Sequence, residues 1–451
     1  MRQFEKLFSP MVAGFLLLVL PSLLFGQATT LGNILGTTTD PSGATVPNAE
    51  VQVTNTDTGV ARQTTTDDSG NFAVRSLTPG VYRVEVSAPS FQRQVQENIR
   101  LDVAATVNLN FHLTVGQVTE TVQVEAEAPM LQTTEGTVST VIENAQVVEL
   151  PLNGRNFNNL VRLTPGASRG ANSGGNTLNA QTWSVTGSRS DTNYYSLDGM
   201  FNNGTFFKTA AIAPSIDSIQ EFKIQTNMSA RYGAAAGANI NVVTKSGTNE
   251  LHGTLYEFLR NQKLDSRDYF ARSRPHFRHN QFGGSAGGPI MIPGLYDGRN
   301  RSFWFFNYEG FRERRGVTQV FTVPTPAMLS GDLSRTISGA PAPPIYDPLT
   351  TRPNPSGAGF IRTRFPDNQI PANRIQPYAA AYAGLWFPKN LIPGVSAGNY
   401  INDTLNRRDD NQVTTRIDQK LTDNNNIFGR FTWQNLEQIS PQNMPTAFRE
   451  T

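Results

Sequence analysis

Residues 221–253, EFKIQTNMSARYGAAAGANINVVTKSGTNELHG, decide how this chain folds. Phe222, Ile224 and Thr226 alternate with Lys223 and Gln225, the two-residue period of a half-buried strand. The run Gly233-Ala234-Ala235-Ala236-Gly237-Ala238 carries almost no side chain and suits a segment lying flat against another backbone. Ile240, Val242 and Val243 predict a second strand, which ends at the turn formers Lys245-Ser246-Gly247-Thr248-Asn249. The sequence changes character here. Upstream lie short Gly/Asn-rich strands of a compact unit; downstream lie long aromatic segments of two-residue period, split by polar loops.

Working outward to the N-terminus, Arg2 and Lys6 precede an apolar run from Met11 to Phe25, broken by Pro21 and followed by Gly26 and Ala28. Residues 1–27 read as a cleavable secretory signal, with cleavage after Gly26 or Ala28 equally compatible. The run is shorter than the roughly 20 residues a spanning helix needs. No later segment is longer, so any further membrane crossing has to be made by strands. Over residues 28–114 the pattern is all-β. Val51 and Val53 follow Pro47-Asn48-Ala49, Phe72 and Val74 follow Asp68-Ser69-Gly70-Asn71, and Tyr82, Val84 and Val86 alternate with Val81, Arg83 and Glu85. Such short strands between frequent turn signals predict a small β-sandwich.

Three stretches carry a family resemblance. The EF, YG, VTKSGTN and HG elements of residues 221–253, VTGSRSDTNYYSLDG at 185–199 and LPLNGRNFNNLVRLTPG at 150–166 resemble the plug domain of TonB-dependent outer-membrane receptors, most closely the branch with Oar-like barrels. GTTTDPSGATVPNAEVQVTNTDTG at 36–59 and TDDSGNFAVRSLTPGVYRVEV at 66–86 are similar to the carboxypeptidase regulatory-like domain, a non-catalytic transthyretin-like module whose relatives often bind carbohydrate. The resemblance implies a mainly β protein: a transthyretin-like β-sandwich, a linker at 115–126, a mixed α/β plug at 127–249, and at 250–451 the first strands of a transmembrane antiparallel β-barrel.

By the same resemblance, the extended segment before the plug is the TonB box, captured by the periplasmic energy-coupling protein through strand addition. Glu120, Thr121, Val122, Gln123 and Val124 match it, and they match a plain final strand or linker equally well. The plug motifs place Asn153, Gly154, Arg155, Arg189, Asp198, Gly199, Glu221, Arg231, Gly233 and Lys245 at positions of interest. Arg155, Arg189 and Arg231 suit reversible Arg–carboxylate pairs that seat a plug, or are solvated surface charges. Asp198-Gly199 is first a turn signal. Within the plug, a strand around Val138, Val141 and Ile142 precedes a short helix over 144–150. Leu160, Val161 and Leu163 are expected to face inward, and Ser184–Arg189 and Tyr194–Gly199 to form strands.

Composition removes several function classes. Thirty-eight Lys and Arg against 36 Asp and Glu leave a net charge of +2, which supports no nucleic-acid partner. There is no cysteine, hence no disulfide, thiolate metal site or cysteine nucleophile. A zinc peptidase needs imidazoles and a carboxylate at ligand spacing. Of His112, His252, His276 and His279, none opens such a motif, and HFRH sits among Arg272, Arg274 and Arg278, which suggests a solvated loop. No G-x-S-x-G elbow, P-loop or G-x-G-x-x-G occurs. The chain is expected to be no enzyme and to need no cofactor.

The C-terminal part supplies the barrel signal. In RSFWFFNYEGF, 301–311, Trp304, Phe306 and Tyr308 share one face, and Phe303, Phe305, Asn307, Glu309 and Phe311 the other. Residues 413–433 predict a hairpin about a tight Thr422-Asp423-Asn424-Asn425 turn, opposite a long Pro-rich loop over 324–400, the asymmetry of outer-membrane barrels. About two hundred residues close only a small barrel, which its own side chains fill. Residues 251–451 are therefore expected to begin a longer barrel. The expected function is TonB-energised import of a large solute (oligosaccharide, peptide or chelate), with the TonB complex and outer-membrane lipid as partners and the sandwich and box on the periplasmic side. The alternative is a secreted or surface carbohydrate-binding adhesion protein without transport.

Overall fold

Turns built on Asp67, Asn55 and Asp40, whose side-chain oxygens accept backbone N–H groups two to four residues on, delimit the N-terminal strands. The computed structural model describes residues 30–116, 121–125, 139–149, 155–170, 182–204, 209–226, 237–267, 274–387, 391–395, 397–423 and 425–440. Its first seven strands are β1 (Gly32–Thr39), β2 (Glu50–Asn55), β3 (Ala61–Thr65), β4 (Asn71–Leu77), β5 (Gly80–Ser87), β6 (Arg93–Leu101) and β7 (Thr106–His112). One sheet has the order β4-β1-β7, with β1 antiparallel to β4 and parallel to β7. The other runs β3-β2-β5-β6 and is extended at its edge by β8 (Thr121–Glu125), parallel to β6. Ile34, Val53, Val84, Leu109 and Phe111 meet in one core between them. This is the expected sandwich, with one addition: part of the expected linker is a strand of its sheet.

A second core belongs to residues 139–249. Here β9 (Ser139–Glu143) leads into α1 (Asn144–Glu149) and a 3-10 helix (Phe157–Leu163). The strands β10 (Ala167–Arg169), β11 (Trp183–Val185), β12 (Tyr194–Leu197), β13 (Met200–Phe201), β14 (Ile219–Gln225) and β15 (Asn239–Thr244) follow. Four of them join β9 in a mixed sheet of order β13-β12-β15-β14-β9, parallel only between β12 and β15. Phe222, Ile224, Ile240 and Tyr195 pack against Phe157, Leu160 and Trp183. The Asn/Gly-rich composition has a structural use, because asparagine amides replace missing ladder bonds. Asn193 accepts from Ala238 N at 2.9 Å and donates to Trp183 O at 2.6 Å, and Asn202 bonds Ile212 in both directions.

The long strands come last: β16 (His252–Asn261), β17 (Phe277–Pro289), the short pair β18 (Met291–Ile292) and β19 (Tyr296–Asp297), then β20 (Ser302–Phe321). After a long connection with α2 (Pro326–Leu329), β21 (Arg352–Pro353), β22 (Phe360–Ile361) and α3 (Pro377–Trp386) come β23 (Tyr400–Lys420) and β24 (Asn426–Ile439). The long strands form one sheet, β16-β17-β20-β23-β24. Over much of its length its alternation is the reverse of a soluble sheet, although Phe303 and Phe305 of β20 share the buried face with Asn307. Leu255, Ile417, Phe431 and Trp433 are exposed, whereas Thr414, Arg416, Gln281 and Asn307 are buried on the opposite face. Apolar outward and polar inward is the pattern of a strand that faces lipid.

Two compact units result. The first holds residues up to Tyr256 with Gly283–Glu309 and Gln412–Trp433; the second holds Glu257–Phe282, Gly310–Asn411 and the chain from Gln434. In the second, Arg314 grips Asp409 through two bonds of 2.6 and 3.0 Å, and the connection is pinned by Arg374 on Asp347 and by Asn368 on Ala342, Pro343 and Ile345.

The structure corrects four sequence expectations. Lys223 and Gln225 are buried, because β14 lies inside its sheet with both faces covered. Leu163 is exposed, since it ends the 3-10 helix just before Thr164 N closes on Val161 O. The strand stops at Val185: Thr186 and Gly187 form a turn, with φ of 52° and 76°, and Ser188 and Arg189 are irregular. His279 sits in β17, 8% exposed, with its ring 4.5 Å from that of Phe311, so the solvated loop is a packed strand at that position.

Candidate functional site

Asp198 and Gly199 are the two central residues of the β12–β13 hairpin, with φ of 50° and 82°, so the backbone there needs residues that tolerate the left-handed region. That turn also points a carboxylate into the interior. Asp198 is 4% exposed; its Oδ1 accepts from Thr244 N at 2.8 Å and its Oδ2 from Thr244 Oγ1 at 2.9 Å. It is then reached by two guanidiniums from the long strands, Arg416 of β23 at 3.3 Å and Arg430 of β24 at 2.7 Å. Arg416 also binds Asp418 at 2.7 Å, donates to Thr244 O at 3.0 Å and lies 4.6 Å over the ring of Phe428. Two carboxylates face two guanidiniums, and the cluster is formally neutral. Buried charge is tolerated in that form because partners and hydrogen bonds replace the lost water.

A second contact zone lies on residues 213–217. Arg155 Nη2 meets Asp217 Oδ2 at 2.5 Å, both side chains about a tenth exposed, and the guanidinium lies 5.0 Å over the ring of Tyr256 of β16. Tyr256 donates to Glu309 of β20 at 2.9 Å. Ser215 Oγ donates to Asn307 Oδ1 at 2.5 Å and Gln412 Nε2 to Ala213 O at 2.9 Å. Burial holds the nearby Lys245 ammonium below the usual lysine range, against the opposing pull of Asp217.

On the other face of the mixed sheet the sandwich makes its own contact. The turn after β6 brings Val103 N onto a carboxylate oxygen of Glu221, with Arg100 Nη2 at 3.7 Å, and Lys223 Nζ donates to Ala104 O at 3.4 Å. Burial, assisted by Asp102, pushes the Glu221 carboxyl up to about 7, although Val103 N–H, Arg100 and Lys223 pull the other way.

Of the residues singled out from sequence, the structure brings Arg155, Asp198, Gly199, Glu221 and Lys245 into these contacts. Arg189 is apart from them: its side chain is 81% exposed and pairs with Asp191 two residues on. Asn153, Gly154, Glu120, Arg231 and Gly233 lie outside the described residues; Thr121, Val122, Gln123 and Val124 lie in β8. Sequence reasoning missed Arg416, Arg430, Asp418, Asp217 and Thr244. A signal was present in TTRIDQK, where Arg416 and Asp418 take the inward phase of an alternating strand. Among the described residues no group of three His, Asp or Glu side chains is placed to hold a metal ion.

Comparison with known proteins agrees with this architecture. The description "Outer membrane beta barrel domain" matches residues 243–450, and "Carboxypeptidase regulatory-like domain" matches 33–114. The TonB-dependent transporter Oar of Myxococcus xanthus is 27% identical over 304 residues, 63% of this chain. The chain spans 27% of that relative's length. Among solved structures, the siderophore receptor PirA from Acinetobacter baumannii is 15% identical over 67% of this chain and 32% of its own, with a TM-score of 0.36. A ferric enterobactin receptor from Pseudomonas aeruginosa is 13% identical over 67% and 33%, with a TM-score of 0.35. Hydroxyquinol 1,2-dioxygenase from Pseudomonas putida matches 20% of this chain and 60% of its own at 12% identity and a TM-score of 0.17. Long strands that set apolar residues outward, the order of the two matched domains and the sequence likeness to the Oar transporter lead to one assignment: the chain carries a carboxypeptidase regulatory-like domain followed by strands of an outer-membrane β-barrel domain, and it resembles TonB-dependent receptors.

Proposed function

We propose that the protein imports a large solute, an oligosaccharide, peptide or chelate, into the periplasm through energised movement of a plug formed by residues 127–249. The observation that carries this reading is the Asp198 cluster. A segment fixed permanently in a barrel needs apolar packing; one that must leave needs contacts that are strong, directional and replaceable by water. Arg416 supplies such bonds to Asp198 and Asp418, and Arg430 sets a second positive charge 2.7 Å from Asp198, so the set is neutral. In this reading the solute binds on extracellular loops and the outer plug surface, and TonB captures residues 120–124 and pulls. The plug shifts or partly unfolds, and no bond of the solute is broken.

The test is photo-crosslinking in cells that make the full-length receptor, with the reactive residue placed in turn at positions 119–124. Adducts with the TonB energy-coupling protein are expected from some of these positions. Their absence from every position, in a receptor shown to reach the outer membrane, removes the coupling segment from this stretch.

A further inference from the structure

The pairing of β8 with β6 assigns the sandwich a role at the proposed coupling step. β8 runs parallel to β6 in register Arg93 to Thr121 through Glu97 to Glu125, five residue pairs. It is the last strand of the order β3-β2-β5-β6-β8, so among the described residues its outer edge has no neighbouring strand. The preceding chain is held in place too: Gln92 N donates to Thr114 O at 2.9 Å and Gly116 N to Ser90 O at 3.1 Å. A segment expected to be a coupling box, a final strand or a linker is thus extended and paired on one side, with no described strand on the other.

We propose that the sandwich presents residues 121–125 as a preformed edge strand, and that the energy-coupling partner adds its own strand to the outer edge of β8 without displacing it from β6. The proposal rests on the reading of this stretch as the coupling segment. Two observations favour addition over displacement. A strand on the outer edge forms a new ladder and breaks none, whereas a strand on the inner edge first has to break five residue pairs. The segment is also already ordered, so the partner does not bear the entropy of extending it. The load then has a direct path. β6 leads from its pairing with β8 straight into the turn where Val103 and Ala104 contact Glu221 and Lys223, inside the sheet of residues 139–249. The partner surface this edge fits is an extended strand with free backbone N–H and C=O groups.

The chain contains no cysteine, so a single engineered pair can be read cleanly. Gln94→Cys with Val122→Cys joins two facing positions of the β6–β8 ladder and can lock β8 in place. Binding of the purified periplasmic domain of TonB to the detergent-solubilised full-length receptor is measured with the lock closed and after reduction. The expected result is an affinity that differs between the two states by no more than about twofold. Binding that disappears on locking and returns on reduction overturns the proposal and shows that the partner needs the edge facing β6. Absence of binding in the wild-type and reduced proteins overturns the coupling-segment reading itself, and the proposal with it.

Discussion

Asp198 shows how far one side chain can serve two structural levels. Its backbone closes a hairpin and its carboxylate receives two guanidiniums from strands more than two hundred positions later. Asp198→Asn keeps the shape and removes the charge, which leaves Arg430 without its 2.7 Å carboxylate partner. The expected loss is about 3–5 kcal/mol of stability, read by denaturant unfolding, because an uncompensated buried cation is costly. A cycle with Arg430→Gln should recover part of it. Additive single and double losses would show that the two groups do not interact. Glu221 gives a pH prediction. Its folded carboxyl titrates near 7, above the unfolded value, so its favourable contribution is complete below the unfolded pKa and is lost as pH rises through about 7. An opening that exposes Glu221 to water should therefore cost more at pH 5 than at pH 8, by at most roughly 3 kcal/mol, because relief from burying the charge outweighs the weaker bond from Val103 N–H to a neutral carboxyl. Hydrogen exchange of the Val103 amide as a function of pH measures this. Glu221→Gln, which still accepts that N–H, should flatten the profile; an unchanged profile would mean that another group titrates.

At the scale of elements, Gly247 illustrates a residue whose reason lies outside its own turn. In the sequence it is one of five turn formers; in the structure an added Cβ would lie 2.4 Å from Trp304 O and 2.6 Å from Gly288 O. Backbone atoms of β17 and β20 cannot retreat as a flexible side chain can, so the connection from β15 to β16 passes close against their ladder only as glycine. Gly247→Ala should lower stability by about 1–3 kcal/mol through forced displacement of backbone. Gly429→Ala, on an exposed strand position with nothing within 4 Å, should be close to neutral. Equal unfolding midpoints for the two variants would refute the close-approach argument. Strand and turn positions across this region were legible from period and turn chemistry. The burial of Lys223, Gln225 and His279 was not, because the two-residue period tells which residues share a face and does not tell whether that face is covered.

Over the whole molecule, the order of parts matters more than any one contact. A sandwich sheet that ends in β8, a mixed sheet whose β14 touches the sandwich turn, and long strands whose inward charges meet that mixed sheet form a continuous series of contacts within the first unit. Full-length receptor lacking residues 31–113 should still reach the outer membrane, because neither the long strands nor the mixed sheet takes a strand from the sandwich. The proposed coupling to TonB should fall, because β8 loses its supporting strand. Undiminished TonB crosslinking from positions 119–124 in that deletion would argue against a presenting role for the sandwich.

Several features are fixed by local chemistry and could be read from the sequence. Alternation writes strands, Asn, Asp, Gly and Pro write the turns between them, and the shift from short Gly/Asn-rich strands to long aromatic ones marks where barrel strands begin. The partners of the charges could not be read there. Asp198 and Arg416 are 218 residues apart, and whether they meet depends on sheet order and register, which a one-residue slip would reverse. The same holds for Glu221 against the β6 turn and for β8 against β6, where an alternating segment is equally at ease free or paired. Pairing between distant segments is set by the summed packing of both cores, so only the tertiary structure decided it.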